Sequence, residues 1–279
     1  MRLGAPVARP YDTPDDWARA VREAGCSAAY CPVDETADAD TVAAYARAAA
    51  AYDIVIAEVG AWGHNPVSPD PALAAAGIAA CAARLALADR IGARCCVNVS
   101  GSRGPRWDGP HPENLLSETV ERVVQSVREI IDRARPQRTF YCLEMMPWMV
   151  PDSADCYLHL LEAVDRPAFA VHVDPVNLLC SPRAYLANGA LIRGLFAKLG
   201  GWVRSCHAKD ALLRDELTFH VDEVQPGIGA LDYDTYLVAI SQLEADTPLM
   251  VEHLPSREAY AQALAFIRRR CDELGIACR

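Results

Sequence analysis

Short apolar runs alternate with longer amphipathic or alanine-rich stretches along the whole chain. The run Phe169-Ala-Val-His-Val-Asp174 shows the pattern. It is apolar, it closes on a carboxylate, and Pro175, which has no backbone donor, prevents it from continuing as a central strand. On this reading strands fall at Leu3–Val7, Ala28–Val33, Ile54–Glu58, Cys95–Ser100, Thr139–Glu144, Phe169–Asp174, Val203–His207 and Leu249–Glu252. Helices fill the intervals: Thr13-Pro14 to about Ala24, Asp40–Ala51, Asp70-Pro71 to about Ile91, His111-Pro112 to about Arg135, Ser153–Val164, Pro182–Leu199, Tyr233–Leu243 and Ser256–Leu274. Thr13 and Ser153 are the expected N-caps, and Gly25 ends the first helix. Between His207 and Tyr233 the chain reads as a long loop carrying Pro226-Gly-Ile-Gly229.

Eight strand–helix units in strict alternation predict a parallel sheet with helices outside. With 279 residues, 52% of them hydrophobic, the chain can fill one large core, and α/β barrels of roughly 250 residues are single domains. The expected fold is therefore α/β, a single (β/α)8 TIM barrel over residues 1–279, with parallel strands inside and helices outside. The competing open, doubly wound sheet would bring a GxGxxG after the first strand, and none is present.

Charge and cysteine usage narrow the partners. Lys and Arg total 27 against 37 Asp and Glu, a formal net charge of −10, which opposes a large phosphate-backbone surface and so nucleic-acid binding. The most hydrophobic stretches read as short and broken by charges, so no membrane span is expected, and the N-terminus lacks a basic start followed by an apolar block. The expected location is cytoplasmic. The eleven cysteines are odd in number and lack paired CxxC spacing, which points to reduced thiols acting as small hydrophobes.

The candidate chemistry sits at four strand tips. Glu144, Asp174, His207 and Glu252 each end a predicted strand, and the steps between them are 30, 33 and 45 residues. A βαβ repeat needs roughly 30 or more. In a barrel the active site lies at the C-terminal ends of the strands. Side chains alternate along a strand, so Asp174 inward puts His172 and Ala170 inward too. In the same way Cys142 lies below Glu144, Ser205 below His207, Met250 below Glu252, and Lys209 above His207. Three carboxylates packed together would raise one another's pKa values, and a divalent cation removes that conflict. Three oxygens and one imidazole suit one Mn²⁺, Mg²⁺ or Co²⁺, with Zn²⁺ as a further option.

Glu144, the His-Val-Asp-Pro run at 172–175, His207-Ala-Lys-Asp210, the Pro226–Gly229 loop with Asp232-Tyr233, and Glu252 together resemble the xylose-isomerase-like sugar epimerase and isomerase superfamily. Ketose 3-epimerases, hydroxypyruvate isomerase and inosose dehydratase are members. The resemblance implies a (β/α)8 barrel with one divalent metal held by Glu144, Asp174, His207 and Glu252, and no nucleotide cofactor. It implies isomerisation or epimerisation of a small sugar or polyhydroxy carbonyl compound through an ene-diolate. Glu144 and Glu252 would be the acid–base pair. Dehydration of an inosose-like keto-polyol is the alternative, because a β-hydroxyl can leave from the same intermediate. Epimerases of this group often carry a histidine three residues after the metal-binding aspartate; here that position is Asn177.

Around the expected mouth, Glu58, Trp62, His64, Asn177 and Lys209 are the candidate substrate contacts. Arg103 and Arg106, with Asn98 and Ser100, are weaker candidates for an anion, His172 reads as a core or supporting histidine, Asp232 as a helix cap, and His253 as pointing away from the barrel axis. An endonuclease of the endonuclease IV type shares the fold, but it holds three zinc ions with many histidines, and this chain has seven. A binding barrel without activity is opposed by the complete ligand set. A homo-oligomer is left open.

Overall fold

The computed structural model describes residues 1–279. Eight parallel strands close into a barrel: β1 (Arg2–Gly4), β2 (Ala28–Tyr30), β3 (Val55–Gly60), β4 (Cys95–Asn98), β5 (Phe140–Leu143), β6 (Phe169–Val173), β7 (Val203–Ala208) and β10 (Pro248–Val251), with β10 hydrogen-bonded to both β7 and β1. The covering helices are α1 (Pro14–Glu23), α2 (Ala39–Ala51), α3 (Pro71–Ile91), α4 (Ser117–Ala134), α5 (Ala154–Val164), α6 (Pro182–Leu186), α7 (Asn188–Leu199), α8 (Tyr233–Ser241) and α9 (Arg257–Leu274). The expected (β/α)8 barrel is the observed architecture.

Local chemistry starts and stops the helices. Thr13, Asp70, Ser153 and Ser256 each accept a first-turn backbone N–H, and Pro14 and Pro71 occupy first-turn positions where no donor is needed. Gly92 ends α3 in the left-handed region, at φ +79°. One core of 60 buried residues fills the layer between sheet and helices. Two smaller clusters on the barrel strands stand apart from it: Ala28, Ala57 and Met250, and Cys95, Cys142 and Ala170. These residues are small except Met250, whose thioether fits because Gly4 has no side chain: a Cβ there would lie 2.4 Å from the sulfur. At the N-terminal end, buried Arg2 pairs with Asp53 at 2.8 Å and Asp246 at 2.7 Å, tying together the turns that enter β3 and β10.

Five details differ from the sequence reading. First, β1 stops at Gly4 and β2 at Tyr30, both short of the expected ends. Second, the helix expected from Pro112 is a 3₁₀ turn, Pro112–Leu115, followed by α4. Third, the helix expected over Pro182–Leu199 breaks at Ala187. There the Asn188 carboxamide donates to the carbonyls of Tyr185 and Ala230 and accepts from the Asp232 N–H.

Fourth, the long loop after β7 contains an antiparallel hairpin, β8 (Asp210–Arg214) and β9 (His220–Val224). Its period-two pattern is visible once sought. Ala211 and Leu213 turn toward the core with Val221, while Arg214 and Asp222 pair on the outer side. Fifth, α3 is a helix of 21 residues whose charges, Arg84, Asp89 and Arg90, lie in its C-terminal half, and by length and composition alone it is apolar enough to cross a membrane. Its place in the fold is between α2 and α4 over β3 and β4, with Cys81, Leu85, Leu87 and Ala88 fully buried.

Asp210 locks the hairpin to the barrel. It is 1% exposed, and its carboxylate accepts the backbone N–H groups of Ala211, Gly227, Gly229 and Leu231 at 2.8–3.0 Å. This explains both Asp210 and the glycines of Pro226–Gly229: a Cβ on Gly229 would lie 2.3 Å from the Ala211 carbonyl oxygen. Asp210→Ala leaves those four donors unanswered and is expected to cost about 2–4 kcal/mol in urea unfolding. An unchanged unfolding midpoint would show that the loop is held by something else.

Candidate metal centre and active site

Three of the four strand-tip ligands sit one residue beyond the ladder. Glu144 follows β5, Asp174 follows β6 and Glu252 follows β10, while His207 is still within β7. Just past the last paired residue, each side chain is free of the pleat and turns over the barrel end. Potential ligand atoms of Glu144, Asp174, His207 and Glu252 all lie within 4.8 Å of one another. Glu144 is 6% exposed, Asp174 0% and His207 1%. His207 Nδ1 is 2.9 Å from Glu252 Oε1 and 3.2 Å from Glu144 Oε1.

Lys209 completes the cluster. Its Nζ lies 2.8 Å from Asp174 Oδ2, 3.1 Å from Glu252 Oε1, 3.3 Å from Glu223 Oε2 and 4.0 Å from Glu144 Oε1. Asn177, on the short 3₁₀ turn Val176–Leu178 after Asp174, donates to Glu144 Oε1 at 3.2 Å and accepts from Lys209 at 3.4 Å. Backbone carbonyls of the same segment are pinned from outside: Tyr236 donates to the His207 carbonyl and Tyr233 to the Lys209 carbonyl, each at 2.8 Å.

The electrostatics follow from burial and like charge. Burial pushes the Asp174 carboxyl up; Lys209 pulls against it, Glu144 and Glu252 add to it, and the result is about 6. Burial also opposes charge on Glu144 and Glu252, but His207 and Lys209 hold both below the usual carboxylate range. His207 is pulled down by burial and raised well above its ordinary value by Glu252, Glu58 and Glu144. Asp174 Oδ2 and Glu252 Oε1 are buried, and the groups that face them are charged: Lys209 for the first, Lys209 and His207 for the second. Three carboxylates and an imidazole whose ligand atoms lie this close form a donor set that fits one hard or borderline divalent cation.

A cavity of about 380 Å³ opens above the cluster. Glu144, Asn177, Lys209 and Glu252 form its floor, and Trp62, Trp107 and Trp148 wall it. Trp62 folds back over Gly60, where a Cβ would lie 2.3 Å from the indole nitrogen. Trp148 is oriented by its Nε1–H, which donates to the Asp108 carbonyl at 2.8 Å.

The other expected contacts lie elsewhere. Glu58 is 1% exposed and sits beneath His207, its Oε2 3.4 Å from His207 Nε2, out of reach of the cavity. His64 lines a separate surface pocket with Trp107, between the segments after β3 and β4. Arg103 donates to the Val67 carbonyl and Arg106 pairs with Asp108, so neither forms an anion pocket at the mouth. His172 is fully buried beside Glu58, and Asp232 caps α8 through the Thr235 N–H.

Two mouth residues escaped the sequence reading. Glu223 arrives on β9, opposite Ala211, and bridges Lys209 to His253, whose Nδ1 is 3.0 Å from Glu223 Oε1. His253 lines the cavity although it directly follows inward-facing Glu252, because its backbone turns into the left-handed region at φ +58° and breaks the strand alternation. The Ala211–Leu213 alternation was the signal for Glu223; no sequence signal marked the turn at His253.

A family model described as xylose isomerase-like TIM barrel matches residues 18–270. The chain belongs to that family. No curated protein matches it in sequence. Among solved structures, this xylose isomerase-like barrel is similar to a xylose isomerase domain protein from Planctomyces limnophilus, at 18% identity over 98% of this chain and 97% of that one, with a TM-score of 0.71. It is similar to a xylose isomerase-like TIM barrel protein from Mycobacterium smegmatis in complex with magnesium, at 16% identity over 98% and 97%, TM-score 0.68. It is also similar to an L-ribulose 3-epimerase, at 17% identity over 99% and 96%, TM-score 0.71. At these identities the likeness establishes the shared fold.

Two outcomes are expected for the metal centre. Asp174 must lose its proton to take a cation, so Mn²⁺ affinity measured by calorimetry falls as pH drops through about 6; a flat profile between pH 7 and 5 would contradict this. Lys209→Met removes the one ammonium from the buried carboxylates and is expected to destabilise the metal-free protein by about 3–5 kcal/mol. Millimolar Mn²⁺ should restore most of that loss, since the ion supplies the missing positive charge. A variant as stable as wild type without metal would show that the carboxylates do not need Lys209.

Proposed function

We propose that the protein is a divalent-metal-dependent isomerase or epimerase of a small sugar or related polyhydroxy carbonyl compound. One observation carries the reading. Of the four clustered ligands, Glu144 and Glu252 border the cavity, whereas Asp174 and His207 are sealed behind them. Asp174 and His207 then anchor a cation, while Glu144 and Glu252 face both the cation and any bound substrate. One structural neighbour is in complex with magnesium and another is an L-ribulose 3-epimerase, and both support this direction.

A cation held there would act as a Lewis acid, stabilising the negative charge that develops on the substrate oxygens. The chain supplies the rest. One of Glu144 and Glu252 removes the proton beside the carbonyl, and the other returns a proton to the ene-diolate carbon; a carboxylate ligating through one oxygen keeps the other as a base. Lys209 and Asn177 hold substrate oxygens from the floor. The apolar ring faces of Trp62, Trp107 and Trp148 stack on the C–H faces of the sugar and keep water from the intermediate.

Dehydration of a keto-polyol is the second reading. It is favoured by Asn177, which cannot carry a proton, together with the Lys209 ammonium on the cavity floor, which can hydrogen-bond a departing hydroxyl while Glu144 or Glu252 supplies the proton.

The test is turnover in D₂O with Mn²⁺, Mg²⁺ or Co²⁺ across a panel of ketoses, aldoses and inososes. Deuterium is expected at the carbon beside the carbonyl. Glu144→Gln and Glu252→Gln are each expected to keep much of the metal affinity while losing turnover by roughly 10²–10⁴-fold. A product that retains all of its label internally would point to hydride shift and remove the acid–base assignment. Loss of one water from the product would select dehydration.

A further inference from the structure

We propose that Glu58 is a positioning residue for the metal centre: from inside the barrel it holds the Nε2 proton of His207, so that Nδ1 presents its lone pair to the cation. This rests on the metal-site reading above and goes beyond it.

The geometry is one-sided. Nδ1 of His207 faces the ligand cluster, at 2.9 Å from Glu252 and 3.2 Å from Glu144, while Nε2 faces away from it into the barrel. There the group in reach is Glu58 Oε2, at 3.4 Å; the two atoms form no hydrogen bond in the metal-free geometry, and neither has one to any other group. An imidazole that gives its Nδ1 lone pair to a cation carries its remaining proton on Nε2, and a buried N–H needs an acceptor. Glu58 provides it where no water enters, since Glu58 and His207 are each 1% exposed.

Glu58 is itself fixed. Ser205, fully buried one step below His207 on β7, donates its hydroxyl to Glu58 Oε1 at 3.1 Å. His172, fully buried on β6, approaches Glu58 Oε2 at 3.6 Å and packs edge-on against the His207 ring, with centroids 4.1 Å apart and an interplanar angle of 72°. That packing restricts rotation of His207 about its χ2. A carboxylate bonded to the far nitrogen also makes the near nitrogen a stronger donor to a metal. A mid-barrel carboxylate, costly to bury and unable to touch substrate, thus acts through His207.

Calorimetric titration of the whole protein with Mn²⁺ tests this. Wild type is expected to bind one ion. Glu58→Gln should bind one ion with affinity lower by roughly 10–100-fold. Its metal-free thermal midpoint should fall as well, because His207 and His172 hold Glu58 ionised, so affinity is compared at a temperature where both proteins are folded. Equal affinity in wild type and Glu58→Gln would overturn the proposal, as would a Zn²⁺-loaded Glu58→Gln whose His207 Nε2 shows the same ¹⁵N signal as wild type. Two ions in wild type and one in Glu58→Gln would overturn it in another way, by giving Glu58, His172 and His207 an ion of their own, which their spacing within 4.8 Å permits. No binding by wild type would instead remove the metal reading itself, and this inference with it. Should Glu58→Gln not fold, ¹⁵N-histidine spectra of the Zn²⁺-loaded wild type decide, with the His207 signals assigned from His207→Asn. A protonated Nε2 is expected; a protonated Nδ1 with Nε2 bound to zinc would overturn the proposal.

Discussion

Everything at the C-terminal end of this barrel is governed by the need to balance buried negative charge. Glu144, Asp174, Glu223 and Glu252 converge within reach of one ammonium, and Glu58 adds a further carboxylate beneath His207. Left alone, such a group would take up protons or open to water. Lys209 and His207 prevent this by standing between the acids, each touching several of them. Carboxylates still outnumber the cations among them, and that excess of negative charge is what would draw a divalent ion. The same arrangement makes a second anion unwelcome: with Arg103 and Arg106 turned to other partners, the cavity carries no spare cation for a phosphate or carboxylate.

Holding like charges together demands a rigid frame, and the barrel supplies it through hydrogen bonds to backbone. Tyr233 and Tyr236 reach from α8 to the carbonyls flanking Ala208, and Tyr157 from α5 accepts the Leu143 N–H and donates to the Ala170 carbonyl, joining β5 to β6. Asp210 does the same for the hairpin with four backbone donors. These groups lie outside the barrel lumen, so the strand tips are fixed without adding polar atoms to the site. Small residues within the barrel, and Gly4 against Met250, leave space for the Glu58–His172–His207 layer beneath the cluster.

The barrel and the convergence of Glu144, Asp174, His207 and Glu252 were legible because both rest on strict periodicities: strands closing on an acid or imidazole before a proline or turn, repeated at βαβ spacing. What escaped depended on contacts between distant segments. Glu58 has the same strand-tip signature as Glu144, and the pattern cannot say that its ladder runs two residues further, to Gly60, leaving the carboxylate deep in the barrel. His64 and Trp62 share one loop, but the turn at Gly63 with its φ of +84° separates them, sending the indole to the cavity and the imidazole to another pocket. His253 escaped because strand alternation fails at a left-handed residue. Glu223 was readable in principle, since the Ala211–Leu213 alternation marks a strand, but a hairpin inserted between a barrel strand and its helix interrupts the expected order.

The three indoles around the mouth give the protein an optical property as well as a binding surface. The chain has five tryptophans; of the other two, Trp17 is sealed in the core edge-on to Tyr45, and Trp202 is a partly exposed residue just before β7. Trp62, Trp107 and Trp148 line the cavity together, so most of the intrinsic fluorophores stand where a guest would sit. Emission from the unlabelled protein is therefore weighted toward the cavity, and a molecule that displaced water from those rings would change its intensity and wavelength. The pocket is its own reporter, and ligands can be ranked by light before any reaction is known.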